Sequence, residues 1–250
     1  MLLHGAVADS RVWRRQLEDL ADEFTVIAWD APGAGRTPDP AEPFGLPDWA
    51  DVLAAFVRAL ELGPSHVLGL SWGGSVAIEL YRRHPETAAS LILADSYAGW
   101  KGSLSPELCA ERLEMALRTS EMAPSELISE WLPQLLSGDA SSEHTEELVG
   151  IMADFHPAGL RLMARAMAGA DLNDVLPRIA VPTLLVWGDR DERSPLSIGE
   201  GMYDAIPDAT LAVIPDSGHE TNIEQPARFN AEVRRFCRSV SAARAETADT

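Results

Sequence analysis

Short β-rich runs alternate with segments of helical periodicity along most of this chain, and that alternation restricts the possible folds more than any other feature. The runs 25–30, 66–70, 90–95, 182–187 and 210–214 are too short for helices, are bounded by turn residues, and read as buried parallel strands. Between them, segments 10–23, 47–62, 72–84, 196–206 and 226–240 carry apolar residues at helical spacing, and several open on Ser, Asp or Pro. Repeated βα units predict an α/β fold with a doubly wound, mostly parallel sheet. The rhythm stops after Asp95: residues 97–177 hold helical patterns without a convincing strand, and βα alternation resumes at Pro182. This middle stretch is expected to be an inserted helical cap on a core formed by 1–96 and 178–240. The small, polar tail 241–250 is expected to be disordered.

Composition narrows the partners. With 46% apolar residues the 250-residue chain can build a sizeable core. It carries 20 Lys and Arg against 39 Asp and Glu, a formal charge of −19, which repels phosphate backbones and anionic lipid surfaces. Nucleic-acid and membrane partners are therefore not expected. No run approaches the roughly 20 apolar residues of a membrane span, and the start lacks the basic and apolar regions of a signal peptide, so a soluble, cytoplasmic protein is expected. Cys109 and Cys237 are too few and too far apart for a disulfide scaffold or a thiolate metal site.

The strongest chemical signal is Gly69-Leu70-Ser71-Trp72-Gly73-Gly74, where the strand 66–70 meets the helix 72–84. The G-x-S-x-G pattern alone is weak, but a tight strand-to-helix turn is the context a nucleophile elbow needs: it strains the serine, exposes its hydroxyl and demands small neighbours. A serine hydroxyl is a poor nucleophile at neutral pH without a base and an orienting carboxylate. Among six histidines, His219 follows the last strand in Asp216-Ser217-Gly218-His219-Glu220, where a loop at the carboxyl edge of the sheet can reach Ser71. The alternative is a loop histidine satisfied by backbone groups. His84 ends a helix and suits capping, His66 begins a strand, and His144 and His156 lie in the cap. For the acid, Gly188-Asp189-Arg190-Asp191 follows a strand; Asp191 is preferred because it gives the order Ser, Asp, His, while Asp189 and Asp95 remain alternatives.

An oxyanion needs two aimed backbone donors. The Trp72 N–H, directly after the serine, is one candidate; the loop His4-Gly5-Ala6-Val7 supplies the other, from Ala6, with His4 tying the loop down. No second ligand lies at metal spacing from His4, so no metal is expected. No cofactor is implied either, because no Walker lysine follows Gly74 and Gly33-Ala34-Gly35 lacks the third glycine of a dinucleotide loop.

Together these residues resemble the α/β-hydrolase superfamily, in its cap-bearing branch of esterases, lactonases, C–C bond hydrolases and cofactor-free haloperoxidases. The matching segments are Leu2-Leu3-His4-Gly5, Asp30-Ala31-Pro32-Gly33-Ala34-Gly35-Arg36-Thr37, Gly69 to Gly74, Gly188 to Asp191 and Gly218-His219, in the expected order over nearly the whole chain. The resemblance implies Ser71, Asp191 and His219 as catalytic triad, with Ala6 and Trp72 as oxyanion donors. A serine at 71 argues against the related dehalogenases and epoxide hydrolases, which use aspartate there. Relatives carry roughly 20 to 30 further residues before the His-Gly turn, forming a hairpin and most of a strand. Met1 is therefore expected to be an internal start, the sheet to have about six strands, and the strand carrying Ala6 to become an open edge that weakens folding or favours a homodimer.

Substrate choice is expected to reside in the cap, which holds Met115, Met122, Met152, Met163 and Met167 beside Trp100, Trp131 and Phe155. Trp100, Trp131, Phe155 and Met163 are candidate pocket residues, although each could equally pack cap helices together. Residues 97–177 carry 13 acidic and five basic side chains, which mildly disfavours anionic substrates. Arg36 could meet a substrate carboxylate or pair with a nearby Asp. The expected activity is a serine hydrolase for an ester or lactone of a small, largely apolar molecule. C–C hydrolysis, haloperoxidase-type chemistry on the same triad, and a non-catalytic binding relic are the alternatives.

Overall fold

A computed structural model describes residues 1–61 and 63–248. In chain order the elements are β1 (Leu2–Leu3), α1 (Arg14–Leu20), β2 (Ala28–Trp29), α2 (Leu46–Ala59), β3 (Ser65–Leu70), α3 (Trp72–Arg83) and β4 (Ala88–Ala94). Five helices follow without a strand: α4 (Trp100–Ser103), α5 (Pro106–Thr119), α6 (Pro124–Leu135), α7 (Ser142–Met152) and α8 (Pro157–Gly169). The chain then returns through β5 (Thr183–Gly188), α9 (Leu196–Ala205), β6 (Ala209–Ile214), α10 (Thr221–Glu224) and α11 (Pro226–Ala248).

Local chemistry explains the boundaries. Helices α5, α6, α8 and α11 each open on proline, whose missing N–H is no loss at a helix start. Ser105 and Ser141 cap α5 and α7 by accepting from Leu108 N and His144 N. The 241–248 stretch expected to be disordered continues α11, because the helical pattern runs on through Ala-, Arg- and Glu-rich sequence; residues 249–250 lie outside the described residues. Among the described residues no helix is long and apolar enough to cross a membrane.

The six strands form one all-parallel sheet in the order β2-β1-β3-β4-β5-β6. Every residue of β4 and β5 is buried, as expected for strands covered by helices on both faces. The sequence reading placed the strand before Ala6 at an open edge, and this is corrected: β1 pairs with β2 on one side and β3 on the other. The first crossover returns outside β1, so β2 takes the edge. With a single neighbour, β2 is paired over only two residues, much less than the 25–30 run suggested.

This topology positions the chemistry. Chain direction across the sheet reverses between β1 and β3, so the loops after these strands diverge and leave a crevice at their carboxyl ends. The same rim receives the loops after β4, β5 and β6. Five tryptophans, Trp13, Trp49, Trp72, Trp131 and Trp187, are fully buried around it.

Candidate active site

Ser71 sits between β3 and α3 with φ +53° and ψ −114°, a conformation that side chains rarely adopt. Its N–H donates to Ala94 O, and its carbonyl accepts from Gly74 N and Ser96 Oγ, so the turn is bolted to the end of β4. The flanking glycines are steric necessities. A Cβ on Gly69 would lie 2.3 Å from Gly73 O, and one on Gly73 would lie 2.4 Å from Leu3 O.

His219 reaches this serine from the loop after β6. Ser71 Oγ–H donates to His219 Nε2 across 2.8 Å, and His219 Nδ1–H donates to Asp191 Oδ2 across 2.8 Å. The second bond fixes the tautomer, since a carboxylate can only accept. The remaining oxygen of Asp191, Oδ1, accepts from the backbone N–H groups of Arg193 and Ser194, both at 2.8 Å. The acid therefore cannot swing away from the imidazole. Ser71, His219 and Asp191 are all buried.

The two alternative acids are occupied elsewhere. Asp189 Oδ1 accepts from Ser217 N, joining the turns after β5 and β6. Asp95 Oδ1 accepts from Gly188 N, its Oδ2 has no partner, and burial, reinforced by the charge of Asp191, pushes its carboxyl well above the usual range. Neither hydrogen-bonds to His219. Three other histidines are also engaged: His66 with Ser90, His84 with Asp51, and His156 with Asp39.

His4 ties down the loop after β1. Its Nε2 accepts from Ala31 N, which leaves Nδ1–H to donate to Gly5 O at 2.7 Å. Burial lowers its pKa, so the ring stays neutral at pH 7, and it packs 5.7 Å from the Trp72 ring. Ala6 and Trp72 line the same cavity as Ser71, and among the described residues neither N–H donates to a protein oxygen.

This cavity is small, about 10 Å³, and its other walls are Trp100, Trp131, Leu160, Ala164, Met167 and Arg193. Trp100 and Trp131 were anticipated. Phe155 and Met163 are not brought to it; they line a neighbouring crevice with Ala34 and Val7. Helical geometry accounts for the difference, because Leu160, Ala164 and Met167 follow i, i+4, i+7 spacing on the face of α8 turned to Ser71, with Met163 on its shoulder. Arg36 is 93% exposed and pairs with Asp30. A roomier cavity of about 270 Å³ lies at the opposite, amino end of the strands between Met1, Phe24, His66 and Cys237, away from Ser71.

Several buried charged groups escaped the sequence reading. Glu220, next to His219, is 1% exposed; burial, together with the nearby carboxylates Glu224 and Asp191, pushes its carboxyl up to about 8. Glu224 accepts from Gly218 N, Ser137 N and Ser137 Oγ, binding the histidine loop to the segment between α6 and α7. Arg112 donates to Tyr97 Oη, and both donate to the carbonyl of Arg193. Charged residues in turns and on helices read as solvated faces, and nothing in their spacing marks them as buried. Among the described residues no cluster of three or more His, Cys, Asp or Glu side chains could hold a metal ion.

A parallel six-stranded sheet with a strained serine at its switch point and a histidine loop after its last strand defines an α/β enzyme of the nucleophile-elbow type. The model of the alpha/beta hydrolase family matches residues 1–232, and the chain belongs to that family. It is 30% identical to a pimeloyl-[acyl-carrier protein] methyl ester esterase of Neisseria meningitidis serogroup A over 250 residues, covering 96% of this chain and 76% of that protein. It superimposes on a thermophilic esterase from Thermogutta terrifontis, solved with malate bound, with TM-score 0.89 and 34% identity, covering 96% of this chain and 89% of the other. An enol-lactonase from Burkholderia xenovorans LB400 gives TM-score 0.85 and 25% identity, covering 94% and 89%. The chain is accordingly an α/β-hydrolase enzyme.

Proposed function

We propose that this hydrolase cleaves small carboxylic esters or lactones through a Ser71–His219–Asp191 triad. The observation that carries the reading is the pair of 2.8 Å hydrogen bonds linking Ser71, His219 and Asp191. In the first half-reaction His219 Nε2 accepts the Ser71 proton while Oγ bonds to the carbonyl carbon. The Ala6 and Trp72 N–H groups, free of protein acceptors, would hold the resulting oxyanion. His219 then returns the proton to the leaving alkoxide as the C–O bond breaks. Water, deprotonated by the same imidazole, cleaves the acyl-enzyme and restores the serine. Asp191 accepts from Nδ1 throughout and keeps that nitrogen as the donor.

The relatives named as an esterase, a methyl ester esterase and an enol-lactonase favour ester and lactone carbonyls over other acyl donors. The tight apolar walls, Trp100, Trp131, Leu160, Ala164 and Met167, favour a short acyl group. A fluorophosphonate probe tests the reading. Stoichiometric labelling of Ser71, lost in Ser71→Ala together with hydrolysis of p-nitrophenyl esters and an enol-lactone, is expected. Folded protein that resists the probe and hydrolyses none of these substrates would refute it.

A further inference from the structure

Arg193 is a buried cation on the wall of the Ser71 cavity, and among the described residues it forms no ion pair with a carboxylate. Its residue is 4% exposed. The backbone is locked from two sides: its N–H donates to Asp191 Oδ1, and its carbonyl accepts from Tyr97 Oη at 2.6 Å and Arg112 Nη2 at 2.5 Å. The guanidinium carbon stands 4.4 Å from the centre of the Trp131 ring, and Nη1 donates to Gln134 Oε1 at 3.0 Å. A guanidinium has five N–H donors in a planar fork, and Gln134 satisfies one of them.

The contrast with the rest of the protein is informative. Most arginines, such as Arg15, Arg83 and Arg234, pair with carboxylates at the surface. The two buried ones, Arg112 and Arg193, have no acidic side chain within 4 Å among the described residues. Burial lowers the Arg193 pKa only to about 10, so it is still charged at neutral pH. Its carboxylic neighbour Glu220 is held protonated there. Holding a cation out of water without a paired carboxylate is costly, and a buried guanidinium with free N–H donors at a cavity wall is suited to bind an anion. The acidic residues of 97–177 do not oppose this: none of the 13 carboxylates is buried, so solvent screens them, while Arg193 lines the cavity itself.

We propose that Arg193 is a specificity-determining residue that binds a carboxylate of the substrate, so that the preferred substrates are small esters or lactones bearing a free carboxylate, such as half-esters of short dicarboxylic acids. This rests on Ser71 acting as the nucleophile. For a half-ester, Ser71 Oγ bonds to the ester carbonyl carbon, the alkoxide departs with the proton carried by His219, and water releases the dicarboxylate. The second carboxylate stays on the guanidinium throughout and enters no bond-making step. The flat fork on Trp131 suits a planar carboxylate that it can grip with two parallel hydrogen bonds.

The test compares mono-p-nitrophenyl glutarate with p-nitrophenyl pentanoate, a neutral ester whose acyl group has the same number of carbons. Wild-type kcat/KM is expected to favour the anionic ester by about 10- to 100-fold, carried by KM. In Arg193→Gln that ratio should fall to near one, and Arg193→Lys should restore part of it. Glutarate should inhibit the wild type competitively and much more strongly than its neutral isostere glutaramide, a measurement that stands if the variants do not fold. Equal kcat/KM for both esters, or equal inhibition by glutarate and glutaramide, with Ser71 still labelled by a fluorophosphonate, overturns the carboxylate site and leaves the hydrolase reading intact. Absence of both labelling and turnover overturns both.

Discussion

Asp191 and Asp95 lie just beyond the ends of neighbouring strands of the sheet, yet only Asp191 hydrogen-bonds to His219, while among the described residues one oxygen of Asp95 has no hydrogen-bond partner. The two carboxyls are therefore separated in role by hydrogen bonding. Asp191 receives three donors, His219 Nδ1 and the N–H groups of Arg193 and Ser194. Asp95 is buried beside it and accepts from Gly188 N, and burial, reinforced by the charge of Asp191, raises its carboxyl well above the usual range.

Exchange of each for its amide separates them experimentally. Asp191→Asn should lower kcat for a p-nitrophenyl ester on the order of 10⁴-fold, because an amide can present a donor to Nδ1 and favour the wrong tautomer. Asp95→Asn keeps an acceptor for Gly188 N and removes a carboxyl that burial disfavours in its charged form, so it should change kcat by no more than a few-fold, with Tm unchanged or raised. The reverse ranking would move the acid of the triad to Asp95.

The serine turn should tolerate almost no added volume. A Cβ at Gly73 would meet Leu3 O at 2.4 Å and His4 O at 2.6 Å, backbone atoms held by the sheet. Gly73→Ala is expected to destabilise the fold by several kcal/mol and to abolish soluble yield or lower Tm by about 10 °C or more. Gly138, whose Cβ would meet nothing within 4 Å, provides the control: Gly138→Ala should leave Tm within a few degrees. Thermal denaturation of both variants checks the pair.

Glu220 should impose a pH dependence on stability. Its carboxyl is raised from an ordinary value near 4.5 to about 8 by burial, next to Glu224 and Asp191. Between these values the folded chain holds a proton that the unfolded chain has lost, so stability falls as pH increases. The contribution is complete below about 4.5 and is lost as pH rises through about 8. Glu220→Gln keeps the shape without the titration, so between pH 5 and 9 its Tm should decline less than that of the wild type, by several degrees. Parallel Tm profiles would show that Glu220 does not titrate in this range.

Much of this site was readable from the order of residues because the chemistry is attached to the ends of strands. Ser71, Asp191 and His219 each follow a β run, and a parallel sheet brings every carboxyl end to one rim, so convergence follows from the alternation itself. The elbow glycines are equally legible, since a strand-to-helix turn leaves them no room. The walls of the cavity are different. Whether Met163 or Met167 faces Ser71 depends on the roll of α8 about its axis, set by packing against α5 and the core, and periodicity alone does not fix it. Arg193 and Glu220 were invisible for a related reason: a charged residue in a turn is ordinarily solvated, and only tertiary contacts reveal them as 4% and 1% exposed. The open edge was misplaced because strand order depends on which side of β1 the first crossover returns.

Leu160 is the partition between the Ser71 cavity and the neighbouring crevice, since it lines both. Each space is only about 10 Å³, room for one water-sized group, and the side chain between them is 3% exposed. Leu160→Ala should join them and let an acyl chain extend toward Phe155 and Met163. Removing a buried leucine costs about 2–5 kcal/mol, so a lowered Tm accompanies the change. Because a methylene group in an apolar pocket discriminates by roughly 10- to 200-fold, the kcat/KM ratio of p-nitrophenyl hexanoate to acetate should rise at least tenfold. Met163→Ala enlarges the crevice and leaves the partition standing, so by itself it should not alter that ratio; combined with Leu160→Ala it should extend the preference to longer chains. A chain-length profile measured on the three variants checks this, and a shift produced by Met163→Ala alone would place the acyl path on the other side of α8.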